Sequence, residues 1–291
     1  MIKIRKIAGT TDCHWSWKTA LSLTLCLPTL FLPFPASAAC SRPILVPVSA
    51  AGLSVITNGD AVSGIYPEIL RSVADKEGCS FIFTPVPRAR LELMFESGKA
   101  DLIVPAKKTA RRDERGVFIP LIHNRANLIS IASNRPDITS VKELIEKTKL
   151  RLVLVRGYDY GPGYQDLITE LSKQKRVFFE AEPNSVARML KAGAADLTIM
   201  TPYIFIGALK EDPRVEDLIN KIRYEAIPEI PWSDSGAYLS KSLSEEDMGN
   251  LRKLLERSAK SGAIWKSFQQ YYPADMLRDS IRPLEATASP Q

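Results

Sequence analysis

The feature that most constrains the fold is a regular alternation of short apolar runs with segments whose apolar residues recur at helical spacing. In the N-terminal half, the runs RPILVPVS, CSFIFTPV and ADLIVPA each have the length of a buried strand. Two segments with helical spacing separate these runs, one marked by Tyr66, Ile69, Leu70, Val73 and Ala74 and the other by Leu91, Met94 and Phe95. This βαβαβ order predicts a parallel sheet with right-handed crossovers.

The same order repeats in the second half. Ser140 and Glu143 form a capping box that opens a helix. After it, the strand runs LRLVLVRG, RVFFE and DLTIM alternate with the helical segments YQDLITELSKQ and SVARMLKAG. A proline-broken extended stretch, AIPEIPWSDSGAYLSKS, precedes helices that begin near Glu245 and Ile264. Neither half contains the glycine fingerprints of nucleotide binding, GxGxxG or GxxxxGK[ST]. Two α/β units joined in this way predict two lobes with a cleft between them.

The N-terminus has the pattern of a secretory signal peptide. Basic residues precede the apolar run ALSLTLCLPTLFLPF, and the small residues Ala36-Ser37-Ala38 are typical of a cleavage site. The run is shorter than the about 20 apolar residues that a membrane span needs, and two prolines interrupt it. We therefore expect residues 1–38 to be a signal peptide and the processed protein to be periplasmic.

Cleavage would leave an almost neutral chain with few metal-binding side chains. Residues 1–38 contain four of the 39 Lys and Arg and one of the 33 Asp and Glu, which leaves 35 against 32. Two of the four cysteines remain, Cys40 and Cys79, and in an oxidising compartment they suggest one disulfide. His123 is then the last histidine, so we expect no metal site and no cofactor.

The run KKTARRDERG, residues 107–116, contains five basic and two acidic side chains. It could be a basic patch for nucleic acid, a solvated loop, or a loop in which one arginine has a specific role. An exported, nearly neutral protein without a stacking motif in this run is a poor candidate for nucleic-acid binding. We expect no nucleic-acid partner.

Five segments in order, GIYPEIL, PVPRARLELMFESGKADL, KKTARRDERGVFIP, AGAADLTIMTP and GAYLSKS, resemble the extracellular solute-binding proteins of polar amino-acid ABC transporters (family 3). The resemblance implies an α/β, two-lobe, type II periplasmic binding protein fold with two crossing hinge segments. Residues 39–122 and 234–291 would form lobe 1, and residues 123–233 would form lobe 2 with its hinges. It also implies a monomer that captures a small carboxylate ligand and delivers it to an ABC transporter permease. Since strands that follow Cys40 and Cys79 are parallel neighbours in this fold, it places the two sulfurs within bridging range.

The resemblance also assigns residues to the ligand site. The family's T-x-x-R motif falls on Thr109 and Arg112, and the arginine would grip the ligand's carboxylate with a planar fork that lysine lacks. The glycine-containing loop after the strand run LRLVLVRG contributes Tyr158 and Asp159, which match ligand-binding positions of the family. Asp159 departs from the family, since its carboxylate would repel the carboxylate of a ligand. Its side chain therefore either points away or holds a cationic part of the ligand.

Two further positions depart from the family. Thr201 stands where an aspartate commonly pairs with the ligand's ammonium, so a standard α-amino acid held in the standard way is not expected. Arg88 stands where the family has a stacking aromatic, and it is either a second cation in the cleft or a guanidinium packed on a helix start. Together these departures favour an anionic ligand. Candidate aromatic walls are Tyr66, Tyr203 and Trp232, although aromatics at such spacing are more often part of the core.

An enzymatic alternative exists on the same fold. Some proteins with it are dehydratases of prephenate-like acids, for which Asp159, Glu68 and His123 are the available acids or bases. Others form the front half of a peptidoglycan lyase or a membrane sensor, which would need a further domain or membrane helix after residue 283. We expect a binding protein rather than an enzyme.

Overall fold

The strands follow the apolar runs of the sequence, with additions that the pattern did not predict. The computed structural model describes residues 40–147, 149–278 and 280–284, so the predicted signal peptide lies outside the described residues. The strands are β1 (Ile44–Val48), β2 (Ile56–Asn58), β3 (Ala61–Ser63), β4 (Phe81–Pro85), β5 (Leu102–Lys107), β6 (Gly116–Asn124), β7 (Asn127–Ile131), β8 (Leu152–Val155), β9 (Val177–Glu180), β10 (Thr198–Met200), β11 (Ile222–Glu225), β12 (Ser233–Ser240) and β13 (Ile281–Arg282).

The helices also lie where the helical spacing predicts them, apart from α3, α7 and α10, which the sequence pattern did not indicate. They are α1 (Ile65–Glu77), α2 (Arg88–Glu96), α3 (Ala110–Asp113), α4 (Val141–Glu146), α5 (Pro162–Lys173), α6 (Pro183–Lys191), α7 (Pro202–Glu211), α8 (Glu245–Lys260), α9 (Ala263–Tyr271) and α10 (Ala274–Arg278), with a 3-10 helix at Glu216–Lys221. The Ser140 hydroxyl caps α4 by accepting a hydrogen bond from the Glu143 N–H. None of the helices in the described residues combines the length and the apolar character that a membrane crossing requires.

The strands pair in two groups, which we name the first and second lobes. In the first lobe, β1 pairs with β4 in parallel, and β13, β6, β12 and β5 form a separate antiparallel sheet in that order. In the second lobe, β10, β7 and β11 form an antiparallel sheet, and β8 pairs with β9 in parallel. The chain passes between the lobes between β6 and β7 and again between β11 and β12.

The prediction of a parallel sheet is confirmed for the pairs β1–β4 and β8–β9 and is wrong for the ladders that β12 forms. β5, the third strand of the first βαβαβ unit, has the distant β12 as its partner in an antiparallel ladder that matches Leu102 with Leu239. β12 lies in the stretch that the sequence pattern identified only as extended and proline-broken. Its backbone finds partners on both sides, β5 and β6, because the chain returns from the second lobe in the opposite direction.

The disulfide that the sequence suggested is present. Cys40 and Cys79 are bonded, with a sequence separation of 39 and their Cα atoms 4.9 Å apart. Both cysteines are buried, and they precede the paired strands β1 and β4. The bridge therefore ties the start of one strand to the start of its neighbour.

The two lobes approach each other closely along an apolar boundary. Tyr203 of α7, in the second lobe, packs edge-on against Phe268 and Tyr272, which belong to the C-terminal part of the chain, with ring centroids 5.1 and 6.0 Å apart. The Tyr272 hydroxyl accepts a hydrogen bond from the Leu53 N–H. Tyr203 connects this boundary to the cavity described next, which it lines.

Candidate ligand-binding site

A cavity with a volume of about 50 Å³ lies where the two lobes meet. The first lobe contributes residues from the ends of β1, β5, β6 and β12 and from α2 and α3, and the second contributes the loop after β8 and the start of α7. The lining consists of Ser49, Ala51, Arg88, Pro105, Ala106, Lys107, Arg112, Asn124, Tyr158, Asp159, Tyr160, Thr201, Tyr203, Ile204 and Ser235. The cavity combines cations, hydroxyl groups and aromatic rings, which suits a small polar solute.

Arg112 is buried in the wall of this cavity and is already hydrogen-bonded. The Thr109 hydroxyl caps α3 by accepting from the Arg112 N–H at 3.3 Å, which fixes the start of the side chain. The guanidinium donates from Nε and Nη2 to Glu92, both at 2.9 Å, and from Nη1 to the Lys107 carbonyl oxygen at 2.7 Å. A guanidinium has five N–H groups. One N–H on each Nη nitrogen therefore remains for another acceptor.

Arg88 and Arg112 share the carboxylate of Glu92. Arg88 begins α2, one turn before Glu92, and its Nε lies 2.8 Å from Glu92 Oε1, although the two are misaligned for a hydrogen bond. Its Nη1 donates to the Pro105 carbonyl oxygen at 3.0 Å. Burial raises the pKa of Glu92, but the charges of the two guanidinium groups outweigh that effect and lower the pKa below its ordinary value. Two buried cations with one shared anion leave a positive charge at this wall.

Lys107 is a third cation in the lining, and the sequence analysis did not identify it as a site residue. It ends β5 and is buried, with its Nζ 3.3 Å from the carbonyl oxygens of Asn124 and Ser233 and hydrogen-bonded to the Ser233 hydroxyl. Burial lowers the pKa of Lys107 to about 7, against a smaller opposing influence from Asp234. Its position directly after the apolar run of β5 is the one sequence signal that could have indicated it.

The loop after β8 brings Tyr158 and Asp159 to the cavity, as the sequence predicted. Gly157 begins this loop with φ at +88°, and a Cβ there would lie 3.0 Å from the Ala89 backbone nitrogen, so glycine allows the loop to approach α2. The Tyr158 hydroxyl donates to the Ala50 carbonyl oxygen at 3.4 Å. Asp159 Oδ1 accepts from the Gly161 N–H at 2.8 Å, which turns one carboxylate oxygen toward the start of α5.

Uncharged polar groups occupy the wall formed by α7 and the end of β6. Thr201 precedes α7, and its hydroxyl is buried without a hydrogen bond of normal geometry. The Tyr203 hydroxyl accepts from Asn124 Nδ2 at 3.1 Å, and the Asn124 Oδ1 is buried without a partner. The wall therefore offers hydroxyl and amide groups where the resembled family offers a carboxylate.

Three of the predicted site residues do not line the cavity. Thr109 acts on Arg112 through the helix cap. Tyr66 is buried in the core, with its ring 5.9 Å from that of Phe268 in an edge-on arrangement. Trp232 is half-buried outside the lining, and the Arg282 guanidinium lies 3.9 Å above its ring. The other six, Arg88, Arg112, Tyr158, Asp159, Thr201 and Tyr203, are brought together.

The acid–base candidates of the enzymatic alternative are separated. His123 Nδ1 lies 2.8 Å from Asp234 Oδ1, where β6 and β12 pair outside the lining. Glu68 accepts hydrogen bonds from the Tyr271 hydroxyl and the Gly64 N–H, also away from the cavity. Asp159 alone of the three lines it. Within the described residues, no group of three His, Cys, Asp or Glu side chains is arranged to hold a metal ion.

Comparison with known proteins supports the fold. No protein-family model and no curated protein matches the chain. Among solved structures, a putative L-cystine ABC transporter protein from Listeria monocytogenes is 18% identical with a TM-score of 0.64, over 80% of this chain and 97% of that one. The arginine-bound amino-acid ABC transporter substrate-binding protein AbpA from Streptococcus pneumoniae is 17% identical with a TM-score of 0.63, over 78% and 93%.

A histidine kinase sensor domain with similarity to periplasmic binding proteins is 15% identical, with a TM-score of 0.62 over 80% of this chain and 96% of that one. These likenesses confirm the predicted α/β, two-lobe periplasmic binding protein fold. At such low identities they show the fold alone.

Proposed function

We propose that this protein is a periplasmic solute-binding protein of the polar amino-acid ABC transporter family, which encloses a small anionic solute between its lobes and delivers it to a transporter permease. The observation that carries the proposal is the pair of buried arginines, Arg88 and Arg112, that share a single carboxylate at the cavity wall. An anion in the cavity would complete the charge balance of this wall. Residues 39–122 and 234–291 form lobe 1 in this proposal, and residues 123–233 form lobe 2 with its hinges.

The chemistry of the remaining lining supports an anionic solute. A ligand carboxylate can accept charge-assisted hydrogen bonds from the free N–H groups on the Arg112 Nη nitrogens. The buried hydroxyl of Thr201 cannot neutralise an ammonium, and burying an unpaired charge is costly. The solute is therefore an amino-acid-like molecule or a related carboxylate whose binding depends on its negative charge.

Binding without turnover agrees with the placement of the acid–base candidates. Glu68 and His123 lie outside the lining, so Asp159 is the one acid–base candidate of the three that lines the cavity. We therefore do not propose a dehydratase. The export signal, the periplasmic location and a monomeric state belong to the same proposal.

The first experiment identifies the solute and then tests Arg112. Native mass spectrometry of gently purified, processed protein should reveal a co-purifying anion, and calorimetric titration should then give its affinity. Arg112→Ala removes one partner of a buried, charge-assisted contact, which typically costs about 2 to 5 kcal/mol. That is a loss of about thirtyfold or more in affinity. Arg112→Lys should recover only part of it, because an ammonium lacks the planar fork.

Exposed cations of the same segment provide the matched controls. Lys108 and Arg115 are exposed, and Lys108→Ala and Arg115→Ala should each change affinity by less than about threefold. Thermal melts confirm that each variant is folded. Equal and salt-sensitive losses at all three positions would indicate a diffuse basic surface, and conversion of the solute to a product would contradict the binding function.

A further inference from the structure

Lys107 is a buried cation whose direct contacts are all uncharged. Its Nζ contacts the carbonyl oxygens of Asn124 and Ser233 and the Ser233 hydroxyl. No ion pair among the described residues includes it. The carboxylate that acts on it electrostatically, Asp234, is in contact with His123 instead, and the Asp234 side chain is 43% exposed. The protein therefore leaves this ammonium without a carboxylate in contact.

This arrangement is costly unless something else supplies the counter-charge. A buried charge without a paired and hydrogen-bonded partner shifts its pKa toward the neutral form. The pKa of Lys107 follows this rule, since burial lowers it to about 7. A structural link between β5 and the hinge strands could be made by a neutral side chain at no such cost.

The cavity provides the place from which a counter-charge can come. Lys107 lines it together with Arg88 and Arg112, but at the hinge side, beside Asn124 and Ser235. The two guanidinium groups lie instead against Glu92 of α2. The cations of the lining are thus divided into a guanidinium pair with a shared carboxylate and an ammonium with none.

The charges around the cavity balance a solute that has two carboxylates and one ammonium. Arg88, Arg112 and Lys107 are balanced in part by the carboxylates of Glu92 and Asp159, so the site has one net positive charge when Lys107 is protonated and none when it is neutral. A solute with a carboxylate at each group of cations would hold Lys107 in the charged state. If that solute also had an amino group, Asp159 would be available to it.

We propose that Lys107 is a specificity-determining ligand contact, which makes the cavity prefer a solute with two carboxylate groups over a matched solute with one. The proposal rests on the proposed solute-binding function and specifies the class of solute. The Arg88 and Arg112 guanidinium groups hold one carboxylate, and the Lys107 ammonium holds the other.

Calorimetric titration with matched pairs of solutes tests the proposal. The probes are L-glutamate against L-glutamine and glutarate against pentanoate, each added to the processed protein after removal of any co-purifying solute. The wild-type protein should bind the dicarboxylate of at least one pair ten or more times tighter than its partner. Lys107→Met should reduce that preference to less than about threefold, whereas Lys108→Met, at the exposed neighbouring position, should leave it unchanged.

Proton uptake on binding provides a readout that a structural role of Lys107 would not change. At pH 8 most Lys107 side chains are neutral in the empty site, since the pKa is about 7. A carboxylate placed beside the amine raises that pKa, so binding should take up close to one proton. Titrations in buffers with different ionisation enthalpies measure this uptake, which should disappear in Lys107→Met.

The outcomes separate this proposal from the proposed function. If one-carboxylate probes bind as tightly as their dicarboxylate partners, or if the preference survives in Lys107→Met, the solute-binding function stands and the role of Lys107 is wrong. If neither these probes nor any other small carboxylate binds, both proposals fail. Should Lys107→Met not fold, the wild-type protein decides alone: dicarboxylate binding without proton uptake at pH 8 overturns the proposal.

Discussion

Glu92 provides the sharpest test of the arrangement around the arginines, because the test needs no knowledge of the solute. Glu92 accepts two hydrogen bonds of 2.9 Å from Arg112, lies 2.8 Å from the Arg88 Nε, and its side chain is 15% exposed. Glu92→Gln keeps the size of the side chain and removes its charge. Both buried guanidinium groups then lose the carboxylate that they share.

The expected loss of stability follows from burial. Breaking a buried ion pair by removing one partner costs about 3 to 5 kcal/mol. The glutamine carbonyl oxygen still accepts one hydrogen bond from Arg112, and a hydrogen bond to a charged group contributes about 1.5 to 3 kcal/mol. We expect a net decrease of about 1 to 3 kcal/mol in the free energy of unfolding at pH 7.

The same helix provides a control. Glu96 lies one turn after Glu92 and also makes two close contacts with an arginine, at 2.6 and 2.8 Å, but that arginine, Arg111, has a side chain that is 72% exposed. Glu96→Gln should lower the free energy of unfolding by less than about 1 kcal/mol. Urea denaturation measures both variants. Equal small losses at the two positions would refute the argument that Glu92 neutralises buried charge.

The loss of stability in Glu92→Gln should also depend on pH, and the folded-state pKa of Glu92 determines the direction of that dependence. The pKa of Glu92 is lowered in the folded protein, so its contribution is fully present above the ordinary pKa of a glutamate, about 4.3. It is lost as the pH falls through the lowered folded-state value, because the unfolded chain then binds the proton more tightly. The stability difference between wild type and Glu92→Gln should therefore be constant above about pH 6 and shrink below about pH 4.

Two further predictions concern the disulfide and the contact between the lobes. Replacing both Cys40 and Cys79 by serine opens a loop of 39 residues, which on the chain-entropy model lowers the free energy of unfolding by about 4 kcal/mol; two free thiols in the non-reduced, denatured processed protein would contradict the pairing. Gly157→Ala and Gly161→Ala both place a side chain at positive φ, at +88° and +96°, which costs about 1 to 3 kcal/mol. Only the new Cβ of Gly157→Ala meets a neighbour, the Ala89 nitrogen at 3.0 Å, so this variant should have the lower melting temperature of the two. Equal melting temperatures for the two variants would mean that the close approach of the loop to α2 does not contribute to stability.

The sequence predicted the order of most helices and strands because the signals are local. A period of about 3.6 residues in Tyr66, Ile69, Leu70 and Val73 and the capping residue Ser140 require only neighbouring positions to be read. The disulfide could be predicted for a different reason, since cleavage of the signal peptide would leave two cysteines.

The antiparallel ladders could not be read in this way. β12 lies more than 120 residues from the β5 residues with which it pairs, and its sequence is broken by glycine and serine rather than marked by a strong apolar alternation. Its place between β5 and β6 depends on the direction in which the chain returns from the second lobe. No local pattern contains that information.

The candidate site also contains residues that the sequence identified and residues that it did not. Comparison with the resembled family identified Arg112 and marked Arg88 and Thr201 as departures, which together favour an anion. The sequence analysis missed Glu92, which lies one turn after Arg88 on the same helix. Its carboxylate determines how much of the positive charge of Arg88 and Arg112 remains. Glutamate one turn from arginine is common on exposed helices, so its role became evident only when burial was known.

The sequence by itself determined where most of the helices and strands lie and which two cysteines pair, because each depends on residue type and short-range spacing. The tertiary structure alone decided the strand partners and the charge balance of the cavity. Lys107 illustrates the reason. Its ammonium has no carboxylate in contact, because Asn124 and Ser233, 17 and 126 positions away, surround it with uncharged oxygens. Burial and counter-charge are properties of what the folded chain brings together, and a linear pattern does not specify them.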